Sequence, residues 1–437
     1  MSAQEQRTTE RAGTFDETVV SYGRKPAVAA RPRFESSALL GALGKAGTTH
    51  LYADTADVTE LGNLITTSSG AILGEIDGNT ANQPLVHKVI ARYLAEGDPA
   101  GWAQELRALR PALRPRELMP LVYAIICGRI GSDVVQAFAA GRSWEVSLQL
   151  HMELGADAEA AKRIGRYLRR MVPSAIVKVP FTPHAPQCFL VARDLEREGI
   201  PVNFTSTFSA RQAVAAALLA NVERTNIFLG RLNQGLKADL LGEQACLAGQ
   251  RALREVRRAT GVKTQLIVAS VREWQTFPRL AGCDVFTAPC DAIRGFLTQT
   301  EVPAVEIRTQ LETSYEDQLG VADDVIGVLG AKRLARLYTV EPELVQFMTE
   351  LRRSVEYDGL RDGDALYKRF DQAGFADLFY APSGSEWQEL RRSKLPDLGS
   401  PLTERLPLDT LYTLLADADF DKYQEQMDAQ IAERVGA

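Results

Sequence analysis

The strongest candidate for catalysis is a lysine inside an apolar segment. Of the eleven lysines in the chain, Lys178 alone lies within a run of β-branched residues, Ile-Val-Lys-Val. An ammonium group in such surroundings is costly unless it is paired or its pKa falls. A lysine with a lowered pKa carries a free amine, which can attack a carbonyl and form a Schiff base. The alternative interpretation is a buried structural ion pair.

Other polar residues occur late in apolar runs of the same kind. They are Asp54, Gln149, Asn203, Thr205, Arg231, Ser270 and Arg272. Each has an ordinary structural explanation, because an aspartate can cap a helix and an asparagine or threonine can bond a neighbouring backbone. Their convergence on one place favours catalysis instead. Two arginines there suit a phosphate, which guanidinium binds with two parallel hydrogen bonds.

The elements that must position these residues are short strands. Eight runs rich in Val, Ile, Leu and Thr begin at residues 51, 71, 145, 175, 201, 226, 265 and 284. Helix-like segments such as 209–222 and 242–260 separate them, an alternation typical of repeated βαβ units. Eight strands in about 250 residues predict an α/β fold of the (β/α)8 TIM-barrel type. No G-x-G-x-x-G motif follows the first strand to favour a dinucleotide-binding sheet. In such barrels the active site lies at the C-terminal ends of the strands.

The rest of the chain predicts the domain organisation. Residues 1–46 carry scattered charge without sustained periodicity, and we interpret them as an extension. The barrel is expected over residues 47–300. Residues 301–437 contain amphipathic runs such as 321–337 and 408–434, which predict a helical C-terminal region that is packed on the barrel or partly separate.

Composition argues against several classes of protein. The net charge of −6 leaves no basic field for nucleic acid. The longest apolar stretch, 213–220, is far shorter than the ~20 residues that span a bilayer, and the first 25 residues have no signal-peptide core. Five cysteines without a C-x-x-C pair predict unpaired thiols and a reducing compartment. We therefore expect a cytoplasmic enzyme.

The histidines provide no sign of a metal site. The four of them lack metal-ligand spacing, so neither a metal nor another cofactor is expected. His151 and His184 follow predicted strands, and each is either a substrate contact or a loop residue. Cys283 and Cys290 flank the last strand and are interpreted as small buried thiols.

Eight short motifs occur in a fixed order between about residues 50 and 300. They are ADTAD (53–57), GNTANQPL (78–85), VSLQL (146–150), IVKVPFT (176–182), EGIPVNFTSTFS (198–209), IFLGR (227–231), ASVRE (269–273) and LAGCD (280–284). Together, their order and spacing resemble the transaldolases and their relatives, the fructose-6-phosphate aldolases. The resemblance implies a class I aldolase-type barrel that forms a Schiff base on Lys178.

The resemblance also implies roles for the other site residues. Asp54 would transfer protons, Asn82 and Asn203 would hold substrate hydroxyls, and Thr205 would position the catalytic water. Arg231 and Arg272 would bind the phosphate of the acceptor. Asn226, which stands where a phosphate-binding serine is usual, and Ser270 complete the expected substrate-binding set.

At two further positions the chain mixes the patterns of the transaldolases and of their aldolase relatives. Typical transaldolases carry a glutamate where this chain has Gln149, and that glutamate works with a water during Schiff-base formation. The aldolase relatives have glutamine there, but they pair it with a tyrosine where this chain has Phe228, the transaldolase residue. Phe228 favours transfer, because that tyrosine holds the water that protonates the intermediate, whereas Gln149 favours aldol cleavage.

The predicted function is a transaldolase-like transferase that moves a dihydroxyacetone unit between sugar phosphates. It would belong to cytoplasmic carbohydrate metabolism, in the pentose phosphate pathway. Its expected partners are small sugar phosphates, without nucleic acid or membrane, and a homo-oligomer is left open. The alternatives are a specialised or fructose-6-phosphate-type aldolase, which releases the dihydroxyacetone unit, and a non-catalytic relative that binds sugar phosphates.

Overall fold

The computed structural model describes residues 14–25, 33–139 and 142–436. The strands of this part of the chain are β1 (Phe34–Glu35), β2 (His50–Asp54), β3 (Ile72–Leu73), β4 (Ile76–Thr80), β5 (Glu145–Gln149), β6 (Ala175–Pro180), β7 (Val202–Thr205), β8 (Arg224–Phe228), β9 (Gln265–Ala269) and β10 (Val285–Ala288).

The helices divide into those up to the last barrel strand and those after it. The first group is α1 (14–23), α2 (Ala38–Ala46), α3 (Val58–Ile65), α4 (Gln83–Glu96), α5 (Pro99–Leu109), α6 (Pro115–Phe138), α7 (Ala158–Met171), α8 (Gln187–Arg197), α9 (Ala210–Ala215, continued by a π turn over Ala216–Ala220), α10 (Leu229–Gly235), α11 (Leu241–Thr260) and α12 (Thr276–Arg279). The second group is α13 (Cys290–Thr298), α14 (Asp323–Leu329), α15 (Ala331–Ala335), α16 (Pro342–Arg353), α17 (Val355–Gly359), α18 (Gly363–Gln372), α19 (Gly384–Leu390), α20 (Pro401–Arg405) and α21 (Leu408–Val435). Short 3₁₀ turns lie at Met152–Ala156, Ala304–Glu306, Glu316–Gln318 and Ala376–Leu378.

Eight strands close a parallel barrel in the order β10-β2-β4-β5-β6-β7-β8-β9. Strands that follow one another along the chain are neighbours in space, as repeated βαβ units produce. The predicted (β/α)8 barrel is therefore confirmed. Gln149, Lys178 and Asn203 are paired across β5, β6 and β7, so that they stand at one level on the same face of the sheet.

The second predicted strand is divided in the structure. The run from residue 71 gives β3, which pairs with β1 outside the barrel, and then β4, which enters the barrel after a turn at Gly74. Gly78 of β4 has no room for a side chain, because an added Cβ would lie 2.6 Å from the Glu145 carbonyl oxygen and from the Tyr52 ring. Tyr52 thus fills the barrel interior beneath the site.

Helix α6 is long and apolar enough, by length and composition, to cross a membrane. However, 78% of its most apolar window is buried inside the protein. It packs against α4, α5, α7 and α21, as a helix in the core of a large domain does. Arg129 and Asp133 interrupt it, so a search for unbroken apolar stretches does not find it.

The N-terminal residues pack on the barrel where they are described. Phe15 and Val19 of α1 and Leu40 and Leu43 of α2 are buried in the hydrophobic cluster that includes the barrel. Residues 1–13 and 26–32 of the predicted extension lie outside the described residues.

The C-terminal helices belong to the same cluster, with Leu344, Phe370 and Met427 among its buried members. The predicted helix over 321–337 is two helices, because Gly330 separates α14 from α15 with a left-handed φ of 74°. These helices thus share a hydrophobic cluster with the barrel.

Helix α21 lies across the C-terminal ends of the strands. Near its start, Asp409 accepts a hydrogen bond of 2.6 Å from Ser209, which follows β7. Near its end, Asp428 lies 2.9 Å from His151, which follows β5. The helix therefore covers the end of the barrel at which the active site was predicted.

Candidate active site

A cavity of about 400 Å³ opens at the C-terminal ends of the barrel strands. Nine of the eleven predicted site residues line it. They are Asp54, Asn82, Lys178, Asn203, Asn226, Phe228, Arg231, Ser270 and Arg272. The other two, Gln149 and Thr205, are fully buried beside it. The sequence interpretation thus identified residues that the fold brings together, while their individual roles stay predictions.

Lys178 is a buried amine without an ion-pair partner among the described residues. It is 3% exposed, and its Nζ donates a long hydrogen bond of 3.4 Å to the carbonyl oxygen of Ala81. Burial lowers its pKa to about 8, although the charge of Asp54 opposes this shift. The structural ion pair considered as an alternative is therefore not formed. The environment is one that maintains a nucleophilic amine.

Asp54 is held in place by hydroxyl groups of neighbouring strands. Thr80 Oγ1 donates to Asp54 Oδ1 at 2.7 Å and lies 2.6 Å from the hydroxyl of Thr287. The cap of the following helix is Asp57 instead, so Asp54 is not the helix cap that its position also allowed. Its carboxylate lines the cavity and does not cap a helix.

An amide network forms the wall between β7 and β8. Asn226 Nδ2 donates to Asn203 Oδ1 at 3.1 Å and to Thr205 Oγ1 at 3.0 Å, and Asn203 Nδ2 donates to Ser147 Oγ at 3.3 Å. Asn226 Oδ1 is buried without a partner in the described residues. Because a buried polar atom is costly when unpaired, this oxygen is a candidate acceptor for a substrate hydroxyl or a water.

Gln149 stands next to Lys178 on the adjoining strand. Its Nε2 has a weak contact of 3.6 Å with the Met152 sulfur, and its Oε1 has no partner within the described chain. The side chain can orient a water but, as an amide, it cannot take up a proton. The structure thus provides no carboxylate at this position.

One polar atom of the Asn82 side chain caps a helix. Its Oδ1 caps α4 by accepting from the Leu85 backbone N–H at 3.1 Å. Its amide NH₂ is the group left for the substrate hydroxyl that the sequence assigned to it.

The two arginines approach the cavity from neighbouring connections. Arg231 was predicted to end a strand, but β8 ends at Phe228 and Arg231 lies in the first turn of α10. Gly230 permits this turn, since an added Cβ would lie 2.1 Å from the Ser270 carbonyl oxygen. Ser270 itself has a left-handed φ of 63°. The Arg272 side chain is exposed in part. Desolvation of its guanidinium at the cavity and the positive charge of Arg231 lower its pKa.

The histidines and cysteines considered in the sequence analysis lie outside the cavity. His151 bonds to Asp428, and the ring of His184 packs edge-on against Trp387; neither lines the cavity. Cys283 and Cys290 are buried free thiols, as predicted.

Sequence reasoning missed the contribution of α21. Asp419, Phe420 and Tyr423 of this helix line the same cavity as Lys178, together with Lys394 from the preceding loop. One available signal was the segment from Leu411 to Phe420, in which seven of the ten residues are hydrophobic, as is typical of a largely buried helix. Nothing in it specifies which surface the helix covers.

Comparison with known proteins agrees with the fold and with the family that the sequence motifs resemble. Residues 51–327 match the family model described as Transaldolase/Fructose-6-phosphate aldolase. A probable transaldolase of Aquifex aeolicus is 33% identical over 167 residues, which cover 37% of this chain and 69% of that protein. A probable transaldolase of Thermus thermophilus is 30% identical over 241 residues, covering 55% of this chain and 86% of the relative. A third, of Rhodospirillum centenum, is 28% identical over 245 residues, 56% of this chain and 81% of that protein.

The family match covers the whole barrel, from β2 to β10, and extends past it into α14. It includes every residue that the sequence assigned to the site. The chain therefore belongs to the transaldolase/fructose-6-phosphate aldolase family.

Proposed function

We propose that the protein is a transaldolase-type transferase that moves a dihydroxyacetone unit between sugar phosphates through a Schiff base on Lys178. In this proposal it acts in cytoplasmic carbohydrate metabolism, in reactions of the pentose phosphate type. The observation that carries the proposal is the unpaired, buried amine of Lys178, with its lowered pKa, in a cavity that also contains Asp54.

The proposed chemistry begins with attack of the Lys178 amine on the ketone carbon of the donor. Loss of water from the carbinolamine gives the Schiff base. Asp54 then accepts the proton of the C4 hydroxyl, the bond between C3 and C4 breaks, and the aldehyde leaves. The electron pair is retained on C3 as an enamine, which attacks the carbonyl of the acceptor aldehyde. The position of Asp54 in the same cavity, oriented by Thr80, supports its role in moving this proton.

Phe228 supports transfer over release. Its ring lines the cavity and packs edge-on against Phe208 at 5.3 Å between centroids. A phenyl ring has no hydroxyl with which to hold a water for protonation of the enamine. The enamine therefore survives until an acceptor aldehyde arrives. Gln149 supports the second candidate, an aldolase that releases dihydroxyacetone.

Turnover assays test the proposal and separate its alternatives. With fructose 6-phosphate and erythrose 4-phosphate, a transaldolase forms glyceraldehyde 3-phosphate and a seven-carbon ketose phosphate. An aldolase releases free dihydroxyacetone without any acceptor. Lys178→Met is expected to abolish the reaction, whereas Lys162→Met, a matched change at a buried lysine paired with Glu159 and Asp194, is expected to retain it. Binding of sugar phosphates without turnover of any pair would favour the non-catalytic relative.

Arg272 provides the test of phosphate recognition. It has no ion-pair or side-chain hydrogen-bond partner among the described residues, so its guanidinium is available to a substrate. Loss of a charge-assisted hydrogen bond typically costs about 1.5–3 kcal/mol, which is roughly 10- to 150-fold in binding. Arg272→Ala is expected to raise the KM for glyceraldehyde 3-phosphate by this factor and the KM for glyceraldehyde much less. Equal effects on both acceptors would show that Arg272 does not bind phosphate, and Arg279→Ala, at an exposed arginine paired with Glu273, is the control.

A further inference from the structure

One of the two arginines at the cavity is already bound to a carboxylate. Arg231 Nη2 donates to Asp419 Oδ2 at 2.6 Å, and the two side chains are 10% and 16% exposed. The other arm of the fork, Nη1, is buried without a partner in the described residues. Asp419 lines the same cavity as Lys178. A substrate that reaches Arg231 therefore contacts the unpaired Nη1 of the guanidinium and the carboxylate of Asp419.

The carboxylate is fixed, because α21 is anchored on both sides of Asp419. Toward the N-terminus, Asp409 accepts two hydrogen bonds from Arg211, at 2.7 and 2.8 Å. Toward the C-terminus, Asp428 lies 2.9 Å from His151. Movement of α21 away from the cavity would require these contacts to break. We therefore treat Asp419 as a permanent part of the site rather than as a lid.

The guanidinium is also fixed in orientation. Its central carbon lies 5.5 Å from the centre of the Phe420 ring and 6.0 Å from that of Phe228. The face of an aromatic ring attracts a cation that lies above it. Arg231 thus lies near two aromatic rings, and its Nη2 donates to Asp419. It cannot donate from both Nη1 and Nη2 to a ligand without losing the ion pair with Asp419.

The balance of charge changes the kind of anion that suits the site. Arg231 and Arg272 together carry two positive charges, which match a phosphate dianion. Asp419 removes one of them and places a negative charge next to the position that a phosphate on Arg231 would occupy, where like charges repel. We propose that Asp419 is a specificity-determining residue that lowers the preference of this site for dianionic phosphate, so that acceptors ending in a neutral or singly charged group compete with phosphorylated ones. This inference rests on the proposed function in that the discriminated group belongs to the acceptor aldehyde.

The test removes the charge of Asp419 and keeps its shape. Asp419→Asn is compared with wild type and with Asp421→Asn, a control on the same helix whose carboxylate pairs with Arg391 at 2.7 Å and does not line the cavity. Two quantities are measured: the ratio of kcat/KM for glyceraldehyde 3-phosphate to that for glyceraldehyde, and the Kd of inorganic phosphate by titration calorimetry. Phosphate binding does not depend on turnover, so the inference can be judged even where the proposed reaction fails.

Asp419→Asn is expected to raise the kcat/KM ratio about tenfold and to tighten phosphate binding by a similar factor, with Asp421→Asn like wild type. Tighter phosphate binding in a protein that turns over neither acceptor would support the role of Asp419 and overturn the transaldolase proposal alone. An unchanged ratio with unchanged phosphate affinity would overturn the inference. A lower ratio with weaker phosphate binding would overturn it as well, because Asp419 would then orient Arg231 for phosphate.

Discussion

At the scale of single residues, the chemistry depends on how a buried amine is partnered. Lys178 and Lys162 are both buried. Burial opposes the charged form of Lys162, but its hydrogen bonds with Glu159 and Asp194 raise its pKa. Lys178 has a single long bond to a carbonyl oxygen, and burial lowers its pKa to about 8. The ion pairs of Lys162 with Glu159 and Asp194, which Lys178 lacks among the described residues, therefore distinguish the two lysines.

The lowered pKa predicts the pH dependence of Schiff-base formation. A lysine is nucleophilic when deprotonated, so the rate should rise as the pH increases through about 8 and level off above it. At pH 7 roughly 10% of such a lysine is free amine, about 200-fold more than for an ordinary lysine near 10.4. The measurement is the initial rate of borohydride-trapped adduct against pH. A rate that continues to rise toward pH 10 would contradict the lowered pKa, and Lys162→Met should leave the profile unchanged.

Gln149 predicts a second effect at this scale. Formation and hydrolysis of the Schiff base move protons at the carbinolamine oxygen, and a positioned acid or base typically contributes about 10²- to 10⁴-fold. Gln149→Glu is expected to raise kcat for dihydroxyacetone transfer, because the unpartnered Oε1 site beside Lys178 would then hold a group that exchanges protons. Steady-state kinetics on a variant with a wild-type circular dichroism spectrum measures this. Gln149→Met, which keeps the length but cannot orient a water as the amide does, should be slower than wild type.

The opposite result for Gln149→Glu is equally informative. A folded variant that is slower on every donor and acceptor pair would show that the amide is adapted to another substrate. The aldolase candidate would then be favoured over transfer.

At the scale of elements, strands were easier to predict than helix positions. Asp54 and Lys178 could be placed because each lies in an apolar run whose period identifies a strand, and barrel geometry brings strand ends together. Arg231 was assigned to a strand because Ile-Phe-Leu continues the apolar run, whereas the chain turns into α10 after Phe228. The contact of α21 with the cavity could not be predicted, since it depends on tertiary packing between residues some 190 positions apart, such as Arg231 and Asp419.

Helix α21 also carries a buried carboxyl that predicts a measurable effect on stability. Neither oxygen of Asp417 has a partner in the described residues, and burial raises its pKa well above 3.8. The folded state thus holds this proton more tightly than the unfolded state, so stability is lost as the pH rises above about 4 toward the folded pKa. Asp417→Asn should increase the free energy of unfolding at pH 7, and the gain should shrink toward pH 4. Urea unfolding at the two pH values measures it, and a gain that is larger at pH 4 would contradict the assignment.

At the scale of the whole molecule, the barrel and the C-terminal helices form one structural unit. One hydrophobic cluster extends from Phe15 through the barrel to Val435. A buried ion pair joins the two regions, with Arg211 of α9 bound to Asp409 of α21, both almost fully buried. The candidate active site shares this arrangement, because its walls come from both regions.

This unity predicts a single unfolding transition and a large effect of breaking the pair. Removing one partner of a buried ion pair typically costs about 3–5 kcal/mol when the other charge is left uncompensated. Arg211 also pairs with Asp377 at 3.1 Å, which would compensate part of its charge. Asp409→Ala is therefore expected to lower the free energy of unfolding by up to this amount in denaturant titrations followed by circular dichroism. Asp358→Ala, which breaks an exposed pair with Arg197, should cost no more than about 1 kcal/mol. Two separate transitions in wild type, or equal costs for both variants, would contradict the description of one unit.

The central claim is that Lys178 carries the substrate covalently. The direct measurement is mass spectrometry of peptides after incubation with fructose 6-phosphate or dihydroxyacetone and reduction with borohydride. We predict that the adduct lies on the peptide containing Lys178, that it is absent without donor, and that Lys178→Met prevents it while Lys162→Met does not. An adduct on another lysine, with the Lys178→Met variant still active, would contradict the mechanism.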